Sequence, residues 1–93
     1  MIRGDGVGYF VIVEFSVPLQ PATLTLANWW WRVGNNTYIC TEATISGNQV
    51  FLQGTPDESE EGPDALWYNA VPPDIKDLAG NPALGFSNRP INI

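Results

Sequence analysis

The chain has 93 residues, of which four are basic, ten are acidic and none is histidine, so its formal net charge at pH 7 is −6. This length accommodates a single domain, residues 1–93, with one modest core. The negative charge disfavours nucleic acid and anionic membranes as partners. With no histidine and one cysteine, the chain lacks a Cys–His nucleophile and a conventional zinc site. We therefore expect a protein that is not an enzyme and that holds no metal or cofactor.

The first predicted strand covers residues 7–16. Val11 and Val13 share one face of it, whereas Phe10 and Ile12 point to the other face. Apolar side chains on both faces indicate a central strand or a strand covered by a partner. Phe10 and Ile12 are therefore candidate partner-binding residues.

The remaining elements are also short, as 9 glycines and 8 prolines imply. Residues 21–28 are predicted to form a turn or a short helical connection, with Thr23 as a possible cap. Further strands are predicted at 28–33, 37–41, 43–45, 49–53, 65–71 and 86–93, with a hairpin turn at Gly47–Asn48. About seven short antiparallel strands and no long helix predict a β-sandwich.

Three consecutive tryptophans form the least ordinary feature of the sequence. On a strand, Trp29 and Trp31 face one way and Trp30 faces the other, so at least one indole is expected near the surface. That ring is covered by the loop 55–64 or a chain terminus, or it contacts a protein partner, or it stacks against a sugar. The sequence leaves open which tryptophan is outward, so all three are candidate partner-binding residues.

The carboxylates cluster in two places. The loop 55–64 holds five of them, and its lack of ligand spacing favours a solvated loop over a calcium site. A second group, Asp74 and Asp77, also departs from the calcium-loop pattern. Asp77 is instead predicted to cap a single turn that ends with Gly80 or Asn81 in a left-handed conformation.

Two smaller features carry no functional prediction. Cys40 lies in a strand-like run and is predicted to be a buried small hydrophobe. The tripeptide Arg3-Gly4-Asp5 matches an integrin-binding motif, but its only physical support is its place in an expected mobile terminus. We assign it no function.

Two phrases of the sequence resemble a known family. The first comprises Phe15–Ser16, Pro18–Leu19, Pro21–Thr25 and Ala27–Asn28, and the second is Asp77–Pro82, preceded by Tyr68 and Pro72–Pro73. Their order and spacing are similar to those of bacterial immunoglobulin-like domains of the S-layer and adhesin type, with the phrases FSEPLDPATLTAANF and DLAGNP. The resemblance covers residues 9–93 and implies an immunoglobulin-like β-sandwich.

The chain departs from this family at three points. Val17 stands where the family often has glutamate, and Gln20 where it often has aspartate, so contacts made by those carboxylates are absent. The family also has a strand before residue 7. That strand is missing here, shortened, or supplied by a neighbouring chain.

The resemblance implies a non-catalytic spacer, adhesive or display module. Because this chain begins with Met and shows one copy without a signal peptide, we expect a phage virion component made in the host cytoplasm, either a capsid decoration (cement) protein or a tail or fibre appendage. Its partners would be capsid or other virion subunits, including further copies of itself as a homo-oligomer. The alternatives are a module of a bacterial cell-surface or secreted protein, and a carbohydrate-binding module.

Overall fold

A computed structural model describes residues 2–5, 9–55, 62–70 and 75–92 of the chain. These residues form eight strands and one turn of 3₁₀ helix, so the protein is almost entirely β, as predicted. The strands are β1 Ile2–Gly4, β2 Phe10–Glu14, β3 Trp29–Val33, β4 Asn36–Ile39, β5 Glu42–Ser46, β6 Gln49–Gln53, β7 Ala65–Tyr68 and β8 Phe86–Pro90, with the 3₁₀ turn at Leu26–Asn28.

The strands form two antiparallel sheets of four strands each. Sheet I has the order β1-β2-β6-β5, and sheet II has the order β4-β3-β7-β8. When the strands are lettered A, B, C, C′, D, E, F and G in chain order, the sheets become A-B-E-D and C′-C-F-G, an arrangement that immunoglobulin sandwiches also have. The predicted β-sandwich is confirmed.

The core lies between the inner faces of the two sheets, because each strand points alternate side chains inward. The largest core side chains are Trp29 and Trp31, which have no exposed surface. The buried residues of the strands are Val11, Val13, Val50 and Leu52 from sheet I and Trp29, Trp31, Val33, Ala65, Leu66 and Tyr68 from sheet II. The alternation of Val11 and Val13 with Phe10 and Ile12 predicted for β2 is confirmed.

Gly54 follows β6 at a point where the backbone closely approaches a core ring. A Cβ atom at this position would lie 2.6 Å from Cζ2 and 2.9 Å from Cη2 of Trp31. Because real Cβ contacts are longer than this, only glycine fits without displacing the indole.

The described residues contain one strand more than the seven expected. The additional strand is β1, which pairs with Val11–Val13 of β2 and forms a parallel bridge between Arg3 and Asn92. The strand that the family has before residue 7 is therefore present in this chain in a shortened form, and it is neither missing nor supplied by a neighbouring chain. The expectation of a mobile terminus at residues 3–5 was wrong, because Arg3 and Gly4 are held by strand pairing on both sides.

The connection at 21–28 contains the short helical element predicted for it, but the predicted cap at Thr23 is wrong. The 3₁₀ turn begins after Thr25, and the backbone N–H of Asn28 donates to the carbonyl oxygen of Thr25 over 3.0 Å. Thr23 is exposed and lies outside the turn, so it is not the cap. A turn this short is closed by its own backbone hydrogen bond and needs no side-chain cap.

Candidate protein-binding surface

The outward side of sheet II carries a row of apolar side chains across three strands. The strand register places Trp30 of β3 opposite Ile39 of β4 on one side and Trp67 of β7 on the other. Arg32 lies two residues along β3 and therefore projects from the same side of the sheet. We call the surface formed by Trp30, Arg32, Ile39 and Trp67 the tryptophan face.

The two indoles of this face contact each other in a fixed geometry. The ring centroids of Trp30 and Trp67 are 6.3 Å apart, and their planes differ by 6°. The Arg32 guanidinium carbon lies 5.7 Å from the centroid of the Trp67 ring, within the range of a cation–π interaction. Arg32 Nε is also 3.9 Å from Asp64 Oδ2, although both side chains are too exposed for this ion pair to contribute much. The rings are thus oriented before any partner binds.

The tryptophan face presents apolar side chains to solvent. Ile39 is 60% exposed, and Trp30 and Trp67 are each partly exposed. Contiguous exposed apolar surface is uncommon on soluble proteins, and aromatic side chains dominate the binding energy of protein interfaces. These properties make the face a candidate interface.

A groove of about 390 Å³ continues from the two tryptophans toward β8. Besides the indoles, its walls include the polar residues Asn69 and Ser87. The groove therefore adds polar groups at one side of the apolar row.

The structure settles which tryptophan faces outward and corrects two candidate residues. Trp29 and Trp31 were candidates for partner binding, but both are fully buried between the sheets and have no surface for a partner. The Trp29 ring stacks on Tyr68 with centroids 4.1 Å apart and meets the edge of Phe86 at 6.3 Å. Of the three consecutive indoles, a partner of the folded chain can reach only Trp30.

The other two candidate residues lie on the opposite side of the molecule. Phe10 and Ile12 project from the outer side of sheet I, where Ile12 is opposite Phe51. The rings of Phe10 and Phe51 stack with centroids 5.3 Å apart. We call Phe10, Ile12 and Phe51 the phenylalanine patch. The five predicted residues thus divide between the core and two opposite surfaces.

Sequence reasoning missed three residues of these surfaces. Trp67, Ile39 and Phe51 each occupy an outward position of a predicted strand, and the period-two alternation of β4, β6 and β7 contained that information. The Trp30–Trp67 contact itself spans 37 positions of the chain (67 − 30). No local pattern fixes such a pairing.

The described residues offer little reactive chemistry. Among them, no group of three or more Cys, Asp and Glu side chains is placed to hold a metal ion. Cys40 is buried, as predicted, and its thiol donates to the carbonyl oxygen of Glu42 over 2.8 Å. Burial raises the pKa of the Cys40 thiol, which disfavours the nucleophilic thiolate. Four of the five loop carboxylates, at positions 57, 58, 60 and 61, and Asp74 lie outside the described residues.

The turn at Asp77 has the predicted structural role. Asp77 Oδ1 accepts hydrogen bonds from the N–H groups of Ala79 and Asn81 over 3.0 and 2.9 Å. Gly80 has a φ of 90°, the left-handed conformation expected at the end of the turn. Hydrogen bonds from Asn81 lower the pKa of the Asp77 carboxyl. This acid therefore shapes a loop.

Comparisons of the chain with protein-family models, with curated proteins and with solved structures find no match. In the part of the chain that the structure describes, no helix has the length and apolar character needed to cross a membrane. The likeness to immunoglobulin-like domains rests on the two sequence phrases and on the strand order.

Proposed function

We propose that this chain is a non-catalytic structural module that binds another protein through its tryptophan face. The observation that carries the proposal is the exposed row formed by Ile39, Trp30 and Trp67 across sheet II. A preorganised pair of indoles loses little conformational entropy when a partner covers it, and tryptophan and arginine are the side chains most enriched in interface hot spots.

The charge distribution supports this assignment. The strands of sheet II carry two charged residues, Arg32 and Arg89, and no carboxylate, although the chain as a whole has a net charge of −6. The strands of this sheet therefore present no carboxylate of their own to a second protein, although Asp64 lies 3.9 Å from Arg32.

The setting we propose is a phage virion, with the chain serving as a capsid decoration protein or a tail or fibre component. The tryptophan face and the phenylalanine patch lie on opposite outer sides of the sandwich, so the domain has an apolar contact surface toward each of two neighbours. This arrangement suits a subunit held in a packed array. A spacer or adhesive module of a bacterial surface protein is the alternative, and such a module needs fewer lateral contacts.

A carbohydrate-binding module is a second candidate, and one observation favours it. The parallel rings of Trp30 and Trp67 adjoin a groove that is also lined by the polar residues Asn69 and Ser87. Indole faces with neighbouring polar groups are suited to a sugar ring. The exposed Ile39 at the other end of the row fits a protein partner better than a polysaccharide.

Co-sedimentation from the native source tests the proposed setting. We expect the wild-type chain to migrate with large virion particles in a density gradient and the Trp30→Ser/Trp67→Ser variant to remain at the top. Leu78→Ser, a change of an exposed apolar residue outside both apolar surfaces, is the matched control and should behave as wild type. Circular dichroism melting of each variant establishes that it is folded.

The other outcomes discriminate among the alternatives. Migration with envelope fragments would replace the virion by the bacterial surface. A wild-type chain that stays entirely at the top would contradict the proposed assembly role. Binding to a glycan array that is lost in Trp67→Ser, combined with no particle association, would replace protein binding by sugar binding.

A further inference from the structure

The sandwich has four edge strands, and three of them are protected against pairing with another chain. The edge of β1 is occupied by Asn92, whose backbone exchanges hydrogen bonds of 2.8 and 2.9 Å with Gly4 and Ile2. On the other sheet, β8 has an irregular register, contains Pro90, and has Asn88 at a φ of 52°. Proline, bulges and a covering segment are the usual devices that prevent edge-to-edge association.

The edge of β5 is protected in a different way. The strand begins with the charged residue Glu42, and residues 22–24 and Leu26 line a cleft together with its first half. A charged side chain on an edge strand disfavours the approach of a further strand.

The fourth edge, β4, has neither a proline, a bulge nor a charged residue, and the described chain approaches it at its last residue, where the Ile39 carbonyl oxygen lies 3.6 Å from the position of a Cβ on Gly54. Its sequence Asn-Thr-Tyr-Ile includes three residue types with high β-propensity. Among the described residues, none forms a backbone hydrogen bond to its outer side. An edge of this kind is a template for strand addition.

The hydrogen-bond pattern identifies the backbone groups that are available. The N–H of Cys40 donates to the carbonyl oxygen of Trp29 over 3.1 Å, so the ladder between β3 and β4 is hydrogen-bonded at this position. Hydrogen-bonded and non-hydrogen-bonded pairs alternate along antiparallel strands, so Tyr38 bonds to β3 and its neighbours do not. Thr37 and Ile39 therefore direct their N–H and C=O groups away from the sheet.

We propose that β4 pairs with β4 of a second copy of this chain, antiparallel and across a two-fold axis. The register is centred on Tyr38, so that Thr37 of each copy forms a hydrogen-bonded pair with Ile39 of the other. This pairing gives four inter-chain backbone hydrogen bonds and joins the two copies of sheet II into one continuous sheet. Each Tyr38 then faces the Tyr38 of the second copy as a non-hydrogen-bonded pair.

A second copy is the occupant that fits this edge, for two reasons. Because β4 is uncharged, two chains with a net charge of −6 can join here without placing like charges directly opposite each other. The pairing also brings the two Ile39 side chains, each 60% exposed in the single chain, to the junction between two tryptophan faces. It thereby extends the apolar row of one chain into that of the next.

A proline at position 37 tests the pairing without disturbing the hairpin. The N–H of Thr37 points outward and takes no part in the β3–β4 ladder, so Thr37→Pro removes an inter-chain donor and keeps the intrachain bonds. We expect wild type to form a dimer in sedimentation equilibrium between micromolar and millimolar concentrations. Thr37→Pro should weaken this dimer by about tenfold or more, whereas Thr37→Val should remain close to wild type. The proposal would be overturned if wild type were monomeric at all these concentrations. It would also be overturned if Thr37→Pro and Thr37→Val had the same effect on the dimer, whether both weakened it or neither did.

Disulfide trapping tests the register independently. In a Cys40→Ser background, Tyr38→Cys places two cysteines at a separation of about 4.5 Å between Cα atoms, which a disulfide can span. Under mild oxidation we expect this variant to form a covalent dimer. Thr37→Cys in the same background is the control. In this register the cysteines at position 37 of the two copies are diagonal neighbours about 7–8 Å apart, so they should not form a disulfide. Trapping at both positions, or at neither, would contradict the register. This result is independent of particle association, so either proposal can fail without the other.

Discussion

The two sides of sheet II place the same residue type in opposite environments. Trp29 and Trp31 are fully buried between the sheets, whereas Trp30, which lies between them in the chain, is partly exposed on the outer side. The alternation of the strand alone produces this difference. The inner indoles are therefore expected to determine stability, and the outer indole to determine binding. Four changes test this contrast, from the largest expected effect to the smallest.

Replacement of an inner indole should have the largest effect. Trp31→Ala removes a buried ring and leaves a cavity, so we expect it to lower the free energy of unfolding by about 3–5 kcal/mol. Trp31→Phe retains part of the packing and provides a variant that stays folded. Urea denaturation followed by circular dichroism measures both. The contrast between the two sides would be contradicted if Trp30→Ala cost as much as Trp31→Ala.

A methyl group placed against the same indole should have the next largest effect. Gly54→Ala puts a Cβ 2.6 Å from Cζ2 of Trp31, and we expect a loss of about 1–3 kcal/mol in the free energy of unfolding. The phenyl ring of Trp31→Phe is smaller, so adding Gly54→Ala in that background should cost less. Additive costs in this double-mutant cycle would show that Gly54 does not act through Trp31.

Replacement of an outer indole should change stability only modestly. The contact of Trp30 with Trp67 is a partly exposed aromatic pair, for which we expect a coupling energy of about 0.5–1.5 kcal/mol. Denaturation of Trp30→Ala, Trp67→Ala and the double variant measures that coupling. A coupling close to zero would mean that the two rings are not held together before binding.

The smallest effect is expected at Asp77, in a turn remote from the tryptophan face. Hydrogen bonds from Asn81 hold the pKa of this carboxyl below its usual value. Its stabilising contribution is therefore present above the ordinary pKa of aspartate and is lost as the pH falls through the lowered value. Wild type should be slightly more stable than Asp77→Asn near neutral pH, with the difference vanishing in acid. A difference in melting temperature that does not change with pH would contradict this role.

Strands and turns could be predicted from the sequence more successfully than the residues that together form a binding surface. The strand alternation at Val11 and Val13, the turn at Gly47–Asn48 and the capping role of Asp77 each depend on a few adjacent residues, and the structure confirms them. The strand β1 was missed because three residues are too few for a period-two pattern to emerge.

The candidate surfaces depend on pairings between distant segments. Phe10 and Trp30 were both predicted to bind a partner, but they lie on different sheets, and sheet membership is determined only when all strands have paired. The cross-strand partners of Trp30 are Ile39 of β4 and Trp67 of β7. They lie nine and 37 positions further along the chain. Tertiary packing decides such contacts, and a single sequence read locally does not contain them.

Hydroxyl-radical footprinting of the four tryptophans tests most directly whether the tryptophan face is a contact surface. In the isolated chain, Trp30 and Trp67 should be oxidised and Trp29 and Trp31 protected. In the assembled particle, we predict that Trp30 and Trp67 become protected as well, while Leu78, which is 65% exposed and belongs to neither apolar surface, keeps its reactivity. Equal oxidation of Trp30 and Trp67 in the particle and in the isolated chain would contradict the proposed role of this face.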